Sequence, residues 1–211
     1  MPAIEIVTFP SCEAYRKDPS ISFPIFDIVE GHSKGWLGMY YGLQVEDGKT
    51  GYFTIVWETL EDHQNLINDP IYAKLIEHVK QCVEGGGLDG LEMIHVPFEP
   101  VAALATIYNG PFTSFAHVTP KPGKTVDDIN ADLALLRDVK DVQGNLGLAS
   151  GKVIEKEDAF VFTSGWDQIE NHAAAAKGHP GISAFVAKLN EDAEWGAKHV
   201  SLKSYKKKYE A

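Results

Sequence analysis

Eight histidines, His32, His63, His78, His95, His117, His172, His179 and His199, are the side chains of this sequence best suited to chemistry. Imidazole titrates near neutral pH, so a positioned histidine can take a proton from carbon beside a carbonyl or return one to an oxyanion. No His-x-x-x-His or His-x-His pair occurs, and Cys12 and Cys82 make no Cys-x-x-Cys pair. Short-range spacing therefore offers no dedicated metal site, and none is expected. Gly85-Gly86-Gly87 follows a helical pattern instead of joining a strand to a helix, so it is no phosphate loop; a Gly-x-Ser-x-Gly elbow is also missing. What remains is acid/base work by histidine in an apolar pocket. Tyr40, Tyr41, Tyr52, Phe53, Trp57, Phe160, Phe162 and Trp166 could wall such a pocket for a flat substrate, and the same residues would equally serve a core.

The elements that must position these groups are visible through an internal repeat. Trp57-Glu58-Thr59-Leu60-Glu61-Asp62-His63 recurs 109 positions later as Trp166-Asp167-Gln168-Ile169-Glu170-Asn171-His172. Pro70 and Pro180 follow the two histidines after similar gaps, which predicts a helix that breaks and restarts. The offset is about half the chain, so two domains are expected, 1–100 and 101–211. Glu58 with Glu61, Thr59 with Asp62 and Asp167 with Glu170 have capping-box spacing, a structural reason for the repeat. His63 and His172 could still point into a cleft at the strand-to-helix corner.

Both halves show the same order of patterns. In the first, Ile4–Phe9 reads as a strand and Phe23–Val29 as a helix. Trp36–Val45 and Gly51–Trp57 form a hairpin around 46–49, and Ile67, Ile71, Leu75 and Val79 mark a helical face. Leu91–Phe98 reads as the fourth strand, with His95 alternating with Met93. In the second, Phe112–Thr119 is a strand and Ile129, Leu133, Leu136 and Val139 mark a helix. Gly147–Glu155 and Ala159–Trp166 pair, Ile182, Val186, Leu189 and Ala193 mark a helix, and His199–Tyr205 is the last strand. The linker could add a strand at Ala102–Tyr108. The order βαββαβ, twice, is the ferredoxin-like unit. Strands such as Tyr52–Trp57 are apolar on both faces, so each sheet needs a second cover. The expected fold is α+β: two ferredoxin-like βαββαβ repeats forming an intramolecular α/β barrel.

Composition excludes several function classes. The chain has 211 residues, 44% hydrophobic and 23% charged, with 19 Lys and Arg against 30 Asp and Glu. The formal charge of −11 disfavours binding to phosphate backbones, and Lys206-Lys207-Lys208 is too short to act alone. No apolar run approaches the roughly 20 residues of a membrane helix. The start of the chain lacks a basic, then apolar, signal segment, so a cytoplasmic protein without nucleic-acid or membrane partners is expected.

Phe115-Ala116-His117-Val118, Leu136-Arg137-Asp138-Val139-Lys140-Asp141-Val142 with Gly144 and Gly147, and Trp166 through His179-Pro180 resemble the dimeric α/β-barrel superfamily. That superfamily includes the antibiotic-biosynthesis monooxygenases and the stress-responsive A/B-barrel proteins. The resemblance implies a cofactor-independent monooxygenase or a polyketide-type cyclase acting on an aromatic or polyketide-like molecule. It places His117 on an inner strand as the leading acid/base, with His179 and His172 beside it. Trp57, His63, Tyr72, His95, Phe162 and Trp166 are the candidate substrate contacts. In the plant olivetolic acid cyclase of this superfamily two histidines and a tyrosine act together. Here His117 matches the first histidine, while Ile182 and Ala176 stand at the second-histidine and tyrosine positions, and Tyr72 and Leu66, in that order, at the corresponding ones of the first half. The alternative is a non-catalytic ligand-binding or stress-response barrel. Haem binding is a third reading, since barrel relatives include haem enzymes and an axial histidine would be needed. Duplication lets a monomer supply both halves of the barrel; a homodimer is the other expectation.

Overall fold

The computed structural model describes residues 2–136 and 139–208. Arg137 and Asp138, part of the family-like segment above, lie outside them. The chain divides into two units, Met1–Pro97 with Val200–Ala211, and Phe98–His199.

In the first unit β1 (Ala3–Pro10), β2 (Trp36–Gln44), β3 (Thr50–Trp57) and β4 (Glu92–Val96) stand in the order β4-β1-β3-β2, all antiparallel. That is the ferredoxin-like order expected. A further strand, β8 (Ala193–Lys207), adds its C-terminal part beside β2, with Gly42 opposite Leu202. Helices α1 (Glu13–Lys17), α2 (Phe23–His32), α3 (Leu60–Ile67) and α4 (Tyr72–Cys82) complete the unit. The expected break between α3 and α4 falls at Pro70. The buried positions of α3 and α4 are His63, Leu66, Leu75, Val79 and Cys82, whereas Ile67 is exposed, so the apolar face passes through Leu66, one residue earlier than the step-of-four pattern suggests. Phe26 packs between Phe53 and Tyr205, with ring centroids 5.5 and 5.1 Å away.

The second unit repeats the order as β8-β5-β7-β6, from β5 (Phe112–Pro120), β6 (Asn145–Lys152) and β7 (Phe160–Trp166). Its helices are α5 (Leu104–Asn109), α6 (Val126–Asp132), α7 (Ile169–Gly178) and α8 (Pro180–Asp192). Two expectations are corrected here. Ala102–Tyr108 is helical: Leu104, Ile107 and Tyr108 are buried, the three- and four-residue spacing of a helix. The last strand begins at Ala193, not His199, because Ala193, Trp195, Ala197 and His199 turn inward alternately with exposed residues. Asp192 ends α8 buried between the ammonium groups of Lys124 and Lys188, whose hydrogen bonds hold its carboxyl down at about 2.

Of the capping-box spacings, Thr59 with Asp62 closes a complete box at the head of α3, and Thr125 with Asp128 closes another on α6. Asp167 and Glu170 do not. Asp167 instead accepts from Asn171 Nδ2 at 2.8 Å, while its own N–H donates to the Gly144 carbonyl at 2.9 Å. Gly144 has φ 74°, and a Cβ there would stand 2.0 Å from Asp167 Oδ1. Gly144→Ala is therefore expected to cost about 1–3 kcal/mol of unfolding free energy, from left-handed strain plus the displaced carboxylate. Urea denaturation checks it.

Candidate functional site

Each unit carries the same small constellation where the third strand meets its helix. In the second unit the Trp166 indole, at the end of β7, stacks on His172 of α7 with centroids 4.6 Å apart and planes at 16°. His172 Nδ1 lies 2.7 Å from Nε2 of His199 on β8. In the first unit Trp57 stacks on His63 at 4.9 Å and 8°, and His63 Nδ1 lies 2.7 Å from His95 Nε2. The repeated Trp and His of the sequence are thus one packed pair, each tied to a histidine from the unit's last strand.

The two constellations differ in what surrounds them. The second lies on a cavity of about 320 Å³, floored at one end by Ser114, Ser164, Asn145, Trp166 and His172. Its remaining wall is apolar, including Phe162, Phe185, Leu148 and Trp195. The first adjoins a space of only about 50 Å³, lined by Glu5, Phe26, Phe53, Trp57, His63 and Tyr72 among others. Strand register explains the contrast. Glu5 pairs with Ile55 and Ser114 with Ser164, so a carboxylate and an isoleucine become two serines. Val7 and Met93 of the first lining have Ala116 and Ala197 as counterparts in the second. Smaller side chains at matched positions open the second cavity.

The polar end of the large cavity is organised by hydrogen bonds. Trp166 Nε1 donates to Ser164 Oγ at 2.8 Å, which leaves that hydroxyl's own proton for a ligand. Burial, and then the neighbouring His199, push the His172 imidazolium pKa down to about 4. At neutral pH His172 is therefore the free base. Two tautomeric arrangements satisfy its contact with His199. With Nδ1 donating, Nε2 carries a lone pair and can accept a proton; with His199 donating, Nε2 carries a proton and can give one.

The predicted site residues fall into separate groups. His172, Phe162 and Trp166 meet at the large cavity. Trp57, His63 and Tyr72 meet at the small one, with His95 behind His63. His117 is exposed opposite Val161, while its neighbour Ala116 faces the large cavity; one residue of strand parity turns the imidazole to the other side. His179 caps the junction of α7 and α8 through its backbone and does not line that cavity. Sequence reasoning counted His199 among the histidines but gave it no site role, and left out Glu5, Ser114 and Ser164. A signal existed for Glu5, a lone charge inside Ala3-Ile4-Glu5-Ile6-Val7, and for His199, which like His95 precedes a valine in a closing strand.

No family model and no curated protein sequence matches this chain. Its backbone does match solved structures. An anthrone oxidase-like protein superposes with TM-score 0.70 at 12% identity, over all of this chain and 96% of that one. A candidate monooxygenase from Fusobacterium nucleatum gives 0.66 at 13%, over 100% and 96%. Another from Lactobacillus acidophilus gives 0.65 at 14%, over 95% and 93%. The fold is that of the dimeric α/β-barrel proteins. Identity this low establishes fold and nothing more. Among the described residues no helix is long and apolar enough to cross a membrane.

Proposed function

We propose that the chain is a monooxygenase-like enzyme for an aromatic, polyketide-like molecule, with the second unit's cavity as its active site. One observation carries the reading: a neutral histidine, His172, at the polar end of a large, mainly apolar and aromatic cavity. A base of this kind suits an electron-rich substrate whose carbanion reacts with dioxygen directly, and the names of the structural neighbours make oxygenation the reaction to test first.

In this mechanism the ring system lies against Phe162, Phe185 and Trp166, and its activated C–H faces His172. Nε2 of His172 takes the proton, while Ser164 and Ser114 hydrogen-bond the oxygen on which negative charge gathers. His199 shares the proton through the 2.7 Å contact and so keeps His172 oriented. The carbanion reduces dioxygen and forms a carbon–oxygen bond. Return of the proton to the peroxide oxygen gives a hydroperoxide; loss of the second proton from the same carbon, with cleavage of the O–O bond, then releases water, so a methylene and one dioxygen become a ketone and one water. Ala116, Leu148 and Leu189 keep bulk water from the intermediate.

The test is dioxygen uptake with anthrone, with product mass measured alongside, on protein treated with a chelator. The expected result is one dioxygen consumed per ketone formed. Tight binding without turnover would instead support the non-catalytic barrel, and a cyclised product without oxygen uptake the cyclase. A Soret band on titrating haem would redirect the reading to haem chemistry.

A further inference from the structure

The first unit holds a cluster that this reaction does not use. Glu5 on β1, His63 on α3 and His95 on β4 bring one ligand atom each to within 4.8 Å of one another. All three are buried, with 6%, 2% and 4% of their surfaces exposed. A carboxylate withdrawn from water this far needs compensation. Glu5 Oε2 receives the Trp57 indole N–H at 2.9 Å and lies 3.5 Å from His63 Nδ1. Two imidazoles and one carboxylate, from three separate elements, are borderline-soft nitrogen and oxygen donors of the kind first-row transition metals take.

We propose that Glu5, His63 and His95 form a buried site for a divalent transition metal, Zn²⁺ being the simplest occupant. The indole N–H on Glu5 is the outer hydrogen bond that orients a ligating carboxylate, and the Trp57 ring fixes the plane of His63 from one face. The adjoining space reaches Glu5 and His63, which leaves room for water or a small anion in a fourth position. His63 Nδ1 and His95 Nε2, 2.7 Å apart, must separate to the roughly 3.3 Å that two nitrogens adopt on tetrahedral zinc with bonds of about 2.0–2.1 Å. That is about half an ångström, within small rotations of two side chains. The second unit supplies an internal comparison. It keeps the indole stack and the histidine pair, but Ser114 replaces the carboxylate, so among the described residues the three-ligand set is confined to the first unit.

The test uses full-length protein stripped with a chelator, then titrated with Co²⁺ and, separately, loaded with Zn²⁺ and passed through gel filtration. The expected result is one metal per chain, with visible Co²⁺ bands of a low-coordinate nitrogen and oxygen site. Affinity should fall at least about a hundredfold in Glu5→Gln and His95→Gln, and stay within about twofold in His199→Gln. X-ray absorption on the zinc-loaded wild type needs no variant, so it decides the matter should a buried substitution unfold the chain. It should show nitrogen and oxygen scatterers with two imidazoles. No retained metal, an equal loss of affinity in His199→Gln, or a sulfur scatterer from free Cys12 or Cys82 would each overturn the site.

Discussion

His172→Ala is expected to lower kcat for the oxidisable substrate by about 10²- to 10⁴-fold, the usual worth of a positioned base. KM should change little, because Phe162, Phe185 and Trp166 remain in the cavity wall. The pH profile makes the same prediction sharper. Burial and His199 put the His172 pKa at about 4 instead of the ordinary 6.5, so wild-type kcat/KM should hold steady from pH 7 to 5 and fall only near pH 4. His199→Gln removes the smaller of those two causes. It should move the acid limb upward part of the way toward 6.5 and reduce kcat less than loss of His172 does, as befits a positioning residue. Stability follows the same linkage. The unfolded chain binds a proton at His172 near pH 6.5 and the folded chain does so only near 4. Stability is therefore fullest above 6.5 and declines as pH falls toward 4, by about 3 kcal/mol in all. His172→Ala should flatten this part of the stability curve. A loss of kcat under threefold, or an acid limb left at pH 4 in the variant, removes His172 from the role.

Trp57→Ala should be the most destabilising single truncation in the first unit, by about 3–5 kcal/mol. Trp57 is fully buried, so truncation leaves a cavity beside His63, and it also takes the indole donor from the buried Glu5 carboxylate. Trp57→Phe separates the two effects. It keeps most of the ring and should still cost about 1–3 kcal/mol through the unsatisfied carboxylate. Trp166→Phe is the control, since its indole donates to the neutral hydroxyl of Ser164 beside a cavity, and about 0.5–1.5 kcal/mol is expected. Denaturant titration of the three variants distinguishes them; equal costs for the two Trp→Phe changes would mean that the carboxylate is not what makes Trp57 special.

The strands and the paired helices were legible because their signals are local: β-branched and aromatic runs, a hairpin turn, and Pro70 and Pro180 restarting helices. The misread segments carry weak side chains. Ala193 to His199 places alanine at two of its four inward positions, too small to separate a strand from the tail of α8, and Leu104, Ile107 and Tyr108 are too few for a helical stripe. The site was half legible. The repeated tryptophan and histidine did locate both constellations, but their partners come from strands far along the chain. His117 and His199 each stand before a valine in a strand, and only the parity of β5 against its cavity tells them apart. Glu5 drew no assignment from the sequence, since burial of a strand carboxylate depends on a donor 52 positions away.

The route of β8 gives the chain an unusual order of maturation. The first unit consists of residues 1–97 together with 200 onward, and residues 98–199 intervene. On the ribosome, a nascent chain that has released residue 97 exposes β2 with an open row of backbone donors and acceptors, and Phe26 lacks the Tyr205 ring it will stack upon. Loop closure over the whole intervening unit must precede that pairing, which makes it a slow, long-range step. The unit translated first is therefore completed last, and β2 is the surface on which chaperones or misassembly would act while it waits.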